Sequence, residues 1–199
     1  MRVATPRRDS VLALLLALAA LPALAHVQQG QAAGFLTGLA HPVSGLDHVL
    51  AMVAVGLWGA QLGAPALWLL PVTFPLVMAF GGFLGLLGIP LPGVEAGIAL
   101  SALALGLAVA ISWRPPLTVA ALLVGVFAVF HGHARGTELP AGQSGLTYSI
   151  GFVIATGLLH LTGIGIGAIH RWPAGRIVLR LLGAGVAAGG LYFLWKVLA

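Results

Sequence analysis

Residues 49–94 contain no Asp, Glu, Lys or Arg. An apolar run of that length holds two bilayer spans of about 20 residues each, and no water-facing domain can be built around it. Over the 199-residue chain, 60% of residues are hydrophobic and 7% are charged, whereas a soluble domain carries about 25% charged residues. A membrane β-barrel would alternate polar and apolar positions along each strand, and the sequence does not. The chain therefore reads as all-α, a polytopic membrane protein.

Charge and cysteine usage narrow the function. The +5 net charge comes from basic residues in the N-terminal segment and at helix ends, where membrane topology accounts for them; the expected partner is the lipid bilayer, with no nucleic acid. The chain has no Cys, which excludes disulfides, thiolate metal sites and thiol nucleophiles. It also argues against a soft Cu(I) carrier.

Residues 1–25 read as a cleavable secretory signal. Arg2, Arg7 and Arg8 form the basic region, residues 11–21 the apolar region, and Ala23-Leu24-Ala25 the cleavage site. Residues 26–199 then form one transmembrane domain of six spans, cut at Gly, Pro and charge: 35–62, 66–87, 94–113, 117–130, 144–169 and 176–198. The fourth reaches membrane length only by continuing through His131 and His133. Residues 61–65 and 88–93, rich in Gly and Pro, read as tight turns. With the mature N-terminus in the periplasm, Arg114, Arg171, Arg176 and Arg180 fall at cytoplasmic ends, as the positive-inside rule favours for the inner membrane. The Gly-rich stretches at 81–85 and 163–167 suit close helix packing.

The few polar groups converge on one expected face. His41-Pro42-Val43-Ser44-Gly45-Leu46-Asp47-His48 opens the first span, Glu95 the third, and His131-Gly132-His133-Ala134-Arg135-Gly136-Thr137-Glu138 closes the fourth. Ionisable groups in hydrocarbon are expensive and usually functional, and imidazole with carboxylate is a ligand set for borderline divalent metals. On one continuous helix, His41 and His48 are close to two turns apart and share a face about 10 Å along the axis. Pro42 then belongs in the first turn, where its missing N–H costs little. Candidate metal ligands are His41, Asp47, His48, Glu95, His131, His133 and Glu138. Each has a blander reading beside it: His133 as a helix cap, Glu95 as a favourable charge at a helix N-terminus, His41 and Glu138 as hydrated interfacial groups. His160, deep in the fifth span, reads equally as an inward relay or as a hydrogen-bonded packing residue. Met52 reads as packing, His170 as interfacial, and His26 as the residue following the cleavage site.

The first motif, continuing through Ala51-Met52 to Val55-Gly56, resembles the HupE/UreJ family of hydrogenase and urease accessory membrane proteins. The segment from His133 to Glu138 is similar to that family's second signature. The resemblance implies a nickel permease, with cobalt as the other candidate substrate, supplying [NiFe]-hydrogenase or urease maturation proteins. It implies no tightly bound cofactor, since the divalent ion is cargo, and it adds Phe74 to the expected functional positions. No Gly-rich phosphate loop is present, so a secondary permease rather than an ATPase is expected. Two other readings stay open: a non-transporting metal sensor or assembly factor, and an intramembrane metal-dependent hydrolase, although His-Glu-x-x-His is missing. A homo-oligomer is also left open.

Overall fold

The turns dictate where the helices stop. Gly88 takes φ 68°, and the Ile89 and Gly88 amides close back onto the Leu84 and Gly85 carbonyls at 3.1 and 3.0 Å. This is the paired-bond helix stop that a left-handed residue permits. The same pattern ends the next helix, where Trp113 and Ser112 amides reach Ala108 and Val109 carbonyls at 2.9 and 3.1 Å; there the left-handed residue is Ser112, φ 54°.

The computed structural model describes residues 31–139 and 144–199; the expected signal segment and His26 lie outside them. The described helices are α1 (Gln31–Ser44), α2 (Leu46–Leu62), α3 (Ala66–Leu86), α4 (Val94–Ala110), α5 (Leu117–Thr137), α6 (Gly145–Gly167) and α7 (Pro173–Leu198), with a 3-10 turn, Ala168–Arg171, before α7. Among the described residues there is no strand. Helices α3, α5, α6 and α7 are each long and apolar enough to cross a membrane. Helix α4 has 17 residues, about 25 Å at 1.5 Å per residue. Large apolar side chains such as Leu76, Phe80, Leu122, Leu158 and Leu181 point outward, as lipid-facing residues do.

The first expected span, 35–62, is not one helix. It is α1 and α2, bent by 82° at Gly45. Pro42 sits in the last turn of α1, not the first turn of a long helix; it removes a backbone donor there, and Gly45 is extended at φ −107°, ψ 113°. His41 and His48 therefore belong to different helices, and the expected shared face does not exist. The fourth expected span does continue, to Thr137, and carries His131 and His133 in its final turns.

Packing runs in backbone-close pairs: α3 on α5, α4 on α7, and both α1 and α2 on α6. Small residues make this possible where apolar lipid gives helices no hydrophobic reason to associate. A Cβ at Gly132 would run into the Met78 carbonyl, and one at Gly56 into the His160 carbonyl. These contacts seat α5 on α3 and α2 on α6, the pairs that carry the polar motifs.

Candidate functional site

The bend at Gly45 presents the two halves of the first motif to different partners. His41, on α1, is held by α5 and α6: its Nδ1 lies 2.9 Å from the Tyr148 hydroxyl and its Nε2 3.1 Å from Glu138 Oε2. Arg135 donates to the same Glu138 oxygen at 2.6 Å and also touches His41 Nε2. Guanidinium, carboxylate and imidazole thus form one charge-assisted group. A cavity of about 360 Å³ lies beside it, lined among others by Met78, Gly132, Arg135, Tyr148 and Phe152.

Gly45 adopts extended angles open to any residue, and the groups nearest to it are the ends of two polar side chains. A side chain there would meet Asp47 Oδ1 at 2.9 Å and Arg135 Nη2 at 3.4 Å. The carboxylate and the guanidinium flank the bend. Asp47 Oδ1 also accepts the His48 amide at 2.8 Å, in the first turn of α2, where a negative charge is favourable.

His48 belongs to a deeper group. It is fully buried, and its Nδ1 lies 2.7 Å from Nδ1 of the equally buried His131. His131 Nε2 in turn lies 2.7 Å from Ser101 Oγ on α4, and that hydroxyl donates to the Ile98 carbonyl at 2.6 Å. These contacts fix the protons of neutral imidazoles. A carbonyl only accepts, so the Ser101 proton points to Ile98 and His131 Nε2–H must donate to Ser101. His131 Nδ1 is then a lone pair and accepts from His48 Nδ1–H. What remains is His48 Nε2, a lone pair without a hydrogen-bond partner, buried from solvent. A metal-binding histidine is held in this way, its other nitrogen donating to an orienting partner.

Residues 13–193 match the family described as HupE / UreJ protein. The chain is also 50% identical over 176 residues to "Protein HupE" of Rhizobium leguminosarum bv. viciae, covering 88% of this chain and 92% of the relative. This chain belongs to the HupE/UreJ family. No solved structure matches it.

Within this HupE/UreJ chain the seven candidate ligands fall into separate places. His41 and Glu138 meet in one group; His48 and His131 meet in a second, fully buried one. Asp47 is half-buried at the bend. His133 turns away, with Nε2 2.7 Å from the Ile89 carbonyl, and ties the end of α5 to the turn before α4. Glu95 is exposed in the first turn of α4 and makes no hydrogen bond to the described residues. Among the described residues, no three His, Asp or Glu side chains converge as a ready-made metal site.

Sequence reasoning missed Ser101, Tyr148 and Phe152. Ser101 orients His131, Tyr148 holds His41, and the Phe152 ring lies against both His41 and His48 at centroid distances of 6.3 and 5.4 Å. Tyr148 and Phe152 are one helical turn apart on α6, a spacing visible in the sequence. Ser101 carried no such signal.

Proposed function

We propose that this chain is a secondary permease for divalent nickel, or cobalt, serving [NiFe]-hydrogenase or urease maturation. The reading takes the family's implied role together with one observation: the His48 Nε2 lone pair, desolvated and oriented by the chain through His131 to Ser101. In the proposed topology, a signal sequence at 1–25 is removed and six spans cross the inner membrane, with α1 and α2 counted as one bent span. The mature N-terminus and the His41 group then face the periplasm.

The ion would arrive at Glu138, His41 and Asp47, exchanging water for carboxylate and imidazole, and pass to His48. Donors spread over successive depths, rather than gathered in one cage, favour passage, which needs binding firm enough to enter and weak enough to leave. Neutral imidazole is the binding form, so uptake should hold near neutral pH and fall only at acidic pH, where protons compete for the imidazoles.

The test is radioactive Ni²⁺ uptake by cells expressing the wild-type chain or His48→Ala. Wild type should accumulate nickel, and His48→Ala about 100-fold less; equal accumulation sinks the reading. Binding without flux would point to a sensor or assembly factor. Competition by Co²⁺ and Zn²⁺ measures selectivity.

A further inference from the structure

The imidazoles do not stop at His131. Phe74 on α3 stands edge-on between two of them, its centroid 5.5 Å from His131 and 5.5 Å from His160. In order of depth the rings read His41, Phe152, His48 with His131, Phe74, His160. On α6 the same line is written in the sequence: Tyr148, Phe152, Thr156 and His160 recur every four residues, a single stripe over about 18 Å of helix, and all four are buried. The stripe runs from the residue that holds His41 to a histidine deep in the membrane.

The bottom of this line carries the second observation. His160 is 1% exposed and its ring nitrogens meet no side-chain partner; the hydroxyl of Thr156, one turn away, is fully buried and has no hydrogen bond. A third polar atom comes from α3. Pro75 has no N–H to give the Pro71 carbonyl, the partner four residues back in a regular helix, and that carbonyl lies against the His160 ring. Buried polar groups are normally paired. Here an imidazole, a hydroxyl one turn away on the same face of α6, and a proline-freed carbonyl against the ring lie together in the interior.

We propose that His160, the Thr156 hydroxyl and the Pro71 carbonyl form an inner station for the divalent cation, parted from His48 and His131 by the Phe74 ring. The station deepens the permease reading and rests on it. One nitrogen and two neutral oxygens suit a borderline divalent metal, yet bind it weakly enough for onward release. Pro75 is a positioning residue: it acts by leaving the Pro71 carbonyl free.

The full chain, purified and reconstituted in liposomes, provides the test, with ⁶³Ni²⁺ uptake and Co²⁺ binding measured on the same preparations. His160→Gln should cut uptake at least 10-fold while a first Co²⁺ still binds. Pro75→Ala and Thr156→Val should lower the maximal rate about 3-fold and leave the half-saturating nickel concentration, set at the outer groups, unchanged. Wild-type uptake by His160→Gln overturns the station. If His160→Gln does not fold, unchanged maximal rates in both Pro75→Ala and Thr156→Val overturn it instead. If the wild-type chain transports nothing, the permease reading fails by itself, and stoichiometry decides the station: one more Co²⁺ per chain in wild type than in His160→Gln supports it, and equal stoichiometry rejects it.

Discussion

Helix α2 treats polar side chains in opposite ways at its two ends. Near its C-terminus they serve the backbone. Trp58 Nε1 donates to the Trp113 carbonyl at 2.9 Å and Gln61 Nε2 to the Val109 carbonyl at 3.2 Å, while Arg180 Nε of α7 reaches the Ala110 carbonyl at 3.0 Å. These carbonyls lie at the end of α4 and just beyond it, where the helix supplies few amide donors, and the Trp58 and Trp113 rings stack there. At the N-terminus, His48 is tied only to another side chain and keeps a bare nitrogen. An unpaired buried polar atom costs about 1–3 kcal/mol. Gln61 Oε1 near the C-terminus is unpaired too, so the two ends differ in what their polar groups bind: main-chain carbonyls at one, another imidazole at the other.

Substitutions at the two ends should therefore separate folding from transport. Trp58→Ala, which removes a fully buried ring and its bond to α4, should cost about 3–5 kcal/mol of stability, read as a large drop in the thermal midpoint in detergent. His48→Ala should do the reverse: the 100-fold loss of nickel uptake is about 2.7 kcal/mol of transport barrier, while the midpoint stays within about 1 kcal/mol of wild type. If His48→Ala unfolds the chain as Trp58→Ala does, the contrast between the ends is false.

Smaller changes sharpen it. Ser101→Ala takes away the acceptor that fixes the His131 proton, and loss of such an orienting partner typically costs 10- to 100-fold. Uptake should fall about 10-fold with little change in stability; an unchanged rate would mean that the tautomer of His48 does not matter. The smallest effect should come from Ser112→Gly, which relieves a left-handed residue at the end of α4. It should raise stability by about 0.5 kcal/mol, the left-handed strain being partly offset by glycine's greater chain entropy, and leave transport alone.

Much of this organisation was legible in the sequence because its punctuation is chemical. Of the expected turns, 88–93 falls where Gly and Pro forbid helix to continue and 61–65 does so only from Gly63 on, α2 running to Leu62; α3 begins and ends within one residue of the expected span. The bend at Gly45 was missed because residues 35–62 stay apolar through it, so length and hydropathy give one span. Pro42 was the available signal: a proline inside an apolar helical run kinks or breaks it. The motifs named His41 with Glu138 and His48 with His131, pairs that the fold brings into contact, and Asp47 at the bend. They did not show that Glu95 and His133 stand apart from the inner pair, because spacing along a chain says nothing about which way a helix turns its side chains against its neighbours. Ser101, Phe152 and Thr156 belong to common residue types, and only the packing of α4 and α6 against α2 and α5 gives them a role.

The row from Ile98 through Ser101 and His131 to His48 has a direction. With a single hydrogen shared at each link, it can be arranged in only two ways, and a main-chain oxygen on α4 selects between them. Which nitrogen of His48 keeps a lone pair is thus chosen by the amide skeleton of another helix. Sliding α4 against α2 would alter that choice without moving any charged residue.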